Sequence, residues 1–448
     1  MNTPICDFVK KYVDSDAVRV HMPGHKGKEI FGFEKYDITE VEGADALYHA
    51  GGIIKESEEN ASSLFGSGKT LYSTEGSSQC IRAMMHLAKQ YAFSKGMKGN
   101  GYVLATKNAH SSFISSAILS DFDIEWLIGD TKSYLSGKVT PQKVGNCLSC
   151  VDNLPFAVYI TSPDYLGNVC DIEGISSVCK KYDIPLIVDN AHGAYLKFLE
   201  TSEHPIDLGA TMCCDSAHKT LPVLTGGAYL HISKDAPSFF KGNAKNALML
   251  FGSSSPSYLT LCSLDSANKY IYEGFKEKLA YFTSEVEELK TALTQNGYAL
   301  IGDEKLKITI DTKKYGYLGS EIYDILYKKG IVCEFCDPDY IVMMLTPENT
   351  KKELDVVKNA LLKIPRKNAI SDTPPSILIC ERAFSPREAH FKAKETISIE
   401  NALGRILADP NVSCPPCVSV ISLGERFNQS TVDLCKYYGI KKCCVVKE

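Results

Sequence analysis

The chain has no long apolar run. Its first 16 residues, MNTPICDFVKKYVDSD, lack the apolar core of a secretion signal. No stretch of about 18 apolar residues follows anywhere. Neither export nor a membrane span is therefore expected. A basic excess is also missing. Lys and Arg number 49 against 54 Asp and Glu, a formal net charge of −5, so no nucleic-acid partner is expected. Internal repeats and low-complexity tracts are absent from the 448 residues.

What is there is an ordinary globular balance, 44% hydrophobic and 23% charged. At roughly 100–200 residues per domain the length suggests two to four domains. Cysteine is frequent and odd in number, at 17. Without a secretion signal this reads as reduced thiols in the cytoplasm. Three C-x-x-C spacings occur, Cys147/Cys150, Cys333/Cys336 and Cys414/Cys417. Two such pairs brought together would hold zinc. The pairs lie far apart, Cys333/Cys336 falls in a strand-like run, no thioredoxin-like pattern surrounds Cys414/Cys417, and small buried hydrophobes are the simpler reading. No metal is expected.

Residues 1–45 read as an irregular arm with turn signals such as HMPGHKG at 21–27. From residue 76 a helix is expected, with Ile81, Met84, Met85, Ala88 and Tyr91 on one face. Short apolar runs follow at 101–106, 156–161, 184–189, 211–215 and 227–232, with helical segments such as 171–182 between several of them. This alternation predicts an α/β fold with a mostly parallel central sheet covered on both faces. A second unit begins near residue 272, where Phe275, Leu279, Phe282, Val286, Leu289 and Leu293 trace an amphipathic helix. Strand-like runs at 307–310 and 340–346, and a helix carrying Leu354, Val357 and Leu361, make this a small α+β domain. The segment 365–376 has the composition of a linker. The expected domains are thus a 1–45 arm, a 46–271 large domain, a 272–370 small domain and a 371–448 C-terminal domain. FGSGKT at 65–70 is similar to a P-loop, but Ser63 stands where the first glycine is needed and no apolar strand precedes it, so nucleotide binding is not expected.

The chemistry gathers around Lys219. IVDNAHGAY (187–195) ends an apolar run with Asp189, followed by His192. Lys219 follows the next run, and one crossover would set both residues at the carboxyl edge of the sheet, where open α/β sheets bind ligands. An Asp and a Lys on neighbouring strand ends suit pyridoxal phosphate: the amine joins the cofactor aldehyde and the carboxylate keeps the pyridine nitrogen protonated. A surface Lys–Asp pair would have the same spacing. Gly76, Ser77 and Ser78 at a helix start suit a phosphate dianion, as they would ordinary N-capping. His110, at the end of another apolar run, could stack on a ring or be merely structural.

These blocks together resemble the pyridoxal-phosphate-dependent ornithine/lysine/arginine decarboxylases of the aminotransferase-like fold, in a short form. HMPGHKG is similar to that family's PGHK-G arm, and DITEVEGADAL (37–47) and LFGS (64–67) follow in order. DSAHKTLPVLTGG is similar to S-T-H-K-T-L-P-x-L-T-Q, SSSPSYLTLCSLDSA (253–267) to T-T-S-P-S-Y-L-x-x-x-S-L-D, and FSPREAHF (384–391) to the opening of the C-terminal domain. The resemblance implies Lys219 as the Schiff-base lysine, Asp189 on the pyridine nitrogen and His110 on the ring face. It puts Gly76, Ser77, Ser78, Ser216 and His218 around the phosphate, and His192 near the ring. It also implies a homodimer or higher homo-oligomer, with Ser253 and Ser254 reaching the neighbouring subunit's phosphate.

The implied reaction is α-decarboxylation of arginine, lysine or ornithine to an amine for polyamine biosynthesis, with Lys219 or His218 reprotonating Cα. Departures from the family pattern are Glu75 for Asn, Ala217 for Ser or Thr, Gly226 for Gln, Cys414 for Tyr, Cys417 for Gly and Ser419 for Pro. Ala217 removes a phosphate hydroxyl, and Glu75 brings an acid near the phosphate. Glu425 is the candidate for the substrate's distal cation, with a solvated turn acid as the plain alternative. An aminotransferase or amino-acid lyase of the same fold would share Asp189 and Lys219. A catalytically impaired cofactor-binding homologue would fit the departures.

Overall fold

Seven strands form a large, mostly parallel central sheet: β1 (Lys69–Ser73), β2 (Tyr102–Thr106), β3 (Asp123–Leu127), β4 (Ala157–Thr161), β5 (Leu186–Asp189), β6 (Met212–Asp215) and β7 (Ala228–Ile232). The computed structural model describes residues 1–129, 133–409 and 417–447. The chain is a mixed α/β protein with two compact units, one of Met1–Lys98 with Cys179–Glu277 and the other of Gly99–Val178 with Lys278–Glu448.

In the first unit the strand order is β1-β7-β6-β5. β5 and β6 are parallel, with Asp189 opposite Cys214. β7 is antiparallel to both β6 and β1. All four residues of β5 and β6 and all five of β7 are buried, which is why they read as unbroken apolar runs rather than alternating ones. Helix α1 (Pro4–Asp14), α2 (Ile53–Phe65) and α3 (Gly76–Ser94) belong to the same unit. The α3 face expected from spacing is there, with Ile81, Met84, Met85 and Ala88 buried.

Helix α1 corrects the expectation of an irregular arm. Pro4 sits in its first turn and Ile5 and Val9 are buried at helical spacing. Its leading amides, of Ile5 and Cys6, donate to Asp265 Oδ2 at 2.9 and 3.0 Å. A cap supplied from 260 residues away leaves no local signal.

In the second unit β2 lies between β4 and β3, parallel to both. β3 was not anticipated. Of its sequence DIEWL only Ile124 and Leu127 are buried and Glu125 is exposed, so it has no apolar run. β1 was also missed, because KTLYS is short and half polar although buried. FGSGKT runs from the end of α2 through Gly66 into β1. That is helix–turn–strand, the reverse of a P-loop. Helix α4 (Ser111–Ser120) follows β2. This unit also holds β8 (Ala299–Ile301), β9 (Lys307–Asp311), β10 (Phe335–Cys336) and β11 (Tyr340–Met344) in an antiparallel sheet ordered β10-β11-β9-β8. A further antiparallel pair joins β12 (Lys394–Ser398) to β13 (Lys442–Val446). All 16 described cysteines are free thiols. Cys414 lies outside the described residues. Among the described residues no helix is long and apolar enough to cross a membrane.

Candidate active site

The first unit brings most of the expected residues to one edge. Asp189 closes β5 and is buried at 3% exposure. Its Oδ1 accepts the Ala191 N–H at 3.2 Å. Asp215 closes the adjacent β6, and the chain turns at once into the short helix Ala217–Thr220, which carries His218 and Lys219. The Lys219 N–H donates to Ser216 O at 2.9 Å, starting that turn. Lys219 Nζ is 2.9 Å from His192 Nε2. His192 is buried and follows Asp189 by three residues. Asp189, His192 and Lys219 therefore share the carboxyl edge of two parallel strands, where the spacing in sequence had put them.

The Ser216 hydroxyl donates to Ser77 Oγ at 2.8 Å, at the start of the 19-residue helix α3. Gly76 has φ +72, and a Cβ there would meet nothing within 4 Å. Open space thus adjoins a helix N-terminus and two hydroxyls, a donor set for a phosphate dianion. Gly76 N donates to Gly226 O at 2.7 Å. Gly226 has φ +95, and a Cβ on it would lie 2.8 Å from Thr74 O. This loop admits glycine alone, which accounts for the departure at that position.

Glu75 is exposed and its carboxylate accepts the Ser253 N–H. The acid is thus engaged by the 253–255 loop, where Ser253 and Ser254 are exposed. Ala217 is fully buried. His218 Nδ1 lies 3.0 Å from Gly227 O. A carbonyl only accepts, so Nδ1 carries a hydrogen and the neutral ring keeps a lone pair on Nε2. Burial, with the Lys219 charge adding to it, lowers the affinity of His218 for a second proton against the pull of that carbonyl.

His110 belongs to the second unit. It caps α4 at the carboxyl end of β2, its Nδ1 accepting the Ser112 N–H at 3.1 Å. It also forms an isolated bridge with Val418. Cys417 has φ +60 and keeps the left-handed backbone that glycine would favour there. Its carbonyl accepts the Ser111 N–H at 2.8 Å.

Glu425 needs correcting. It is no solvated turn acid: it is buried, and Lys107 Nζ lies 3.1 and 2.9 Å from its two oxygens. The Ser422 N–H donates to it as well, at 2.7 Å. Its charge is already matched inside its own unit, which weighs against a role on a substrate cation. Sequence reasoning also missed a cluster beneath Lys219. His204, Asp215 and His231 are fully buried, with one donor atom each lying within 4.8 Å of the others. Only Asp215, next to Ser216, carried any signal of position.

A model of the family described as Orn/Lys/Arg decarboxylase, major domain, matches residues 3–301. The chain is 29% identical over 465 aligned residues to the uncharacterized protein YaaO of Bacillus subtilis, covering 96% of this chain and 93% of that one. It is 25% identical over 467 to the arginine decarboxylase of Halalkalibacterium halodurans, covering 96% and 92%. In fold it is similar to the Francisella novicida lysine decarboxylase LdcF, with a TM-score of 0.80 at 16% identity, covering 99% of this chain and 81% of that one. With two thirds of its length matched by the family model, the chain belongs to the Orn/Lys/Arg decarboxylases, a family of carboxy-lyases.

Proposed function

We propose that this protein binds pyridoxal phosphate through Lys219 and removes the α-carboxylate of arginine, lysine or ornithine. The observation that carries the reading is the juxtaposition of an amine, a buried carboxylate and a hydroxyl pair at one edge: Lys219 after β6, Asp189 at the end of β5, and Ser216 on Ser77 at the start of α3. These residues fit the group. The hydroxyls and the amides of α3 suit its phosphate, Asp189 its ring nitrogen and Lys219 its aldehyde. When bound, pyridoxal phosphate supplies an electron sink for the pair left on Cα as CO₂ departs.

The chain's own work is orientation and proton handling. Asp189, fixed by the Ala191 N–H, holds a negative charge against the ring nitrogen and so keeps a proton there. His218 donates through Nδ1 to Gly227 and is held neutral by burial, so it offers a lone pair and not an acid. That favours Lys219 Nζ, steadied by His192 Nε2, as the group returning a proton to Cα. His110 on the ring face, Gly76 and Ser78 at the phosphate, and a homodimer completed by Ser253 and Ser254 belong to the same reading. So do a cytoplasmic location and a product used in polyamine biosynthesis.

Incubating the cofactor-loaded protein with each of the three amino acids, with the product identified by mass, tests the proposal. An amine plus CO₂ from one of them is expected, and Lys219→Ala should abolish both turnover and the visible absorbance of lysine-bound cofactor. A keto acid as product would point to an aminotransferase instead. Bound cofactor with no turnover on any basic amino acid would point to an impaired homologue.

A further inference from the structure

A row of polar side chains crosses the four strands of the first unit just below the site. Asn190, which follows Asp189 off β5, donates through Nδ2 to Asp215 Oδ1 at 2.7 Å. Asp215 Oδ2 lies 3.1 Å from His231 Nε2 on β7 and 3.1 Å from His204 Nε2. His231 Nδ1 lies 2.8 Å from Thr70 Oγ1 on β1, and Thr70 is 2.7 Å from Ser67 Oγ. Asn190, Asp215, His204 and His231 are all fully buried. Phe65 closes the row, its ring centroid 4.4 Å from that of His231.

This cluster has the ligand types of a metal site, but its hydrogen bonds argue otherwise. The Ile206 N–H points at His204 Nδ1 at 3.4 Å. A neutral imidazole ligating through Nε2 carries its hydrogen on Nδ1, usually donated to an acceptor. Here that hydrogen would face another donor. With the hydrogen on Nε2 instead, His204 donates to Asp215 and every nitrogen is satisfied. His231 fits the same tautomer, with Thr70 donating to Nδ1. Asp215 is therefore a buried anion received by three N–H groups. Burial alone would push its carboxyl up; the two imidazoles outweigh that and hold it well below the usual carboxylate range. The Asn190 amide keeps Nδ2 on Asp215 although its buried Oδ1 is left without a partner among the described residues. The carboxylate thus dictates that rotamer.

We propose that Asp215 is a positioning residue: its carboxylate, gripped by His204, His231 and Asn190, locks the segment carrying Asp189 to the segment carrying Ser216 and Lys219. This rests on the cofactor reading above. The lock acts beyond the last backbone pair of β5 and β6, where Asp189 meets Cys214 and Asn190 N donates to Cys214 O at 3.0 Å. It ties Asp215, one residue past that pair, to Asn190 and so adds a side-chain restraint on the spacing between the acid and the amine.

The test is Asp215→Asn, which keeps the volume and one acceptor oxygen and removes the charge. The folded variant should bind pyridoxal phosphate at least about tenfold more weakly, and kcat should fall by about 100-fold with KM little changed, the scale expected for slight misplacement of reacting groups. A role in folding alone would lower the melting temperature and leave cofactor affinity and kcat of the folded protein intact; that result overturns the proposal. If Asp215→Asn does not fold, Asn190→Ala cuts only the link to the Asp189 segment, and unchanged affinity and kcat in it likewise overturn the proposal. Nitrogen NMR of histidine-labelled wild type should show His204 and His231 with hydrogen on Nε2. A ring hydrogen on Nδ1 of His204, or one tightly bound zinc per chain, overturns it in favour of a metal site. A wild-type protein that takes up no pyridoxal phosphate overturns the cofactor reading itself, a result distinct from loss in the variants alone.

Discussion

Asp189 and Glu425 are both buried carboxylates, yet their surroundings give them opposite tasks. Asp189 is held by the Ala191 amide and a Cys214 thiol at 3.7 Å, at a strand edge lined by reactive groups. An opposite charge at close range raises a base's affinity for its proton by about 1–3 pKa units. On the proposed reading Asp189→Asn therefore lowers kcat by about 10- to 1,000-fold while the cofactor's visible absorbance persists, checked by steady-state kinetics beside an absorbance titration. Glu425 instead faces Lys107, whose Nζ also lies 4.6 Å above the Trp126 ring. Removing one member of a buried pair strands the other charge, at a cost of about 3–5 kcal/mol. Glu425→Gln should thus lower unfolding stability by that order in urea titration, with no selective rise in KM for any one basic amino acid.

At the scale of elements, the first helix depends on a group far away in sequence. α1 is 11 residues long, too short to be stable alone. Asp265 caps it through Ile5 and Cys6 and also takes the Ser57 hydroxyl at 2.5 Å. Asp265→Ala removes the cap and leaves a buried hydroxyl without its acceptor. A loss of about 1–3 kcal/mol is expected, with the amides of α1 exchanging with solvent faster than those of β6 in hydrogen-exchange measurements. The α3 face and the five apolar strand runs were legible in sequence because burial on both sides of a sheet, or on one side of a long helix, leaves a periodic imprint. α1, β1 and β3 left none. The first is capped from far away, the second is partly polar, and the third is an edge strand with only two buried residues, so no local window contains what holds them.

For the whole molecule, the response to pH separates two kinds of buried acid. Burial raises the Asp337 carboxyl to about 7, against the opposing pull of the Tyr340 and Asp339 amides, which donate hydrogen bonds to it. Its Oδ2 is buried without a partner among the described residues. The folded protein then keeps a proton that the unfolded chain has released, so this group's contribution to stability falls as pH rises from about 4 to 7. At about 1.4 kcal/mol per unit the swing is at most about 4 kcal/mol. Asp337→Asn should gain urea resistance over wild type at neutral pH and much less near pH 4. Asp215 runs the other way. Its depressed carboxyl contributes stability above about pH 4 that is lost as pH falls further.

The sequence by itself determined the α/β architecture, the order of the chemistry-bearing segments and the family, because unbroken apolar runs and the residues around Lys219 are local patterns. It also located Asp189 and Lys219 at one sheet edge, since a single crossover between parallel strands permits little else. Only the tertiary structure decided that Glu425 is matched by Lys107, that Glu75 is engaged by the 253–255 loop, and that Asp215 binds two histidines and Asn190. Those facts depend on which groups meet across 11 to 318 residues of chain. Pairing between distant charges leaves no periodicity for a sequence to display.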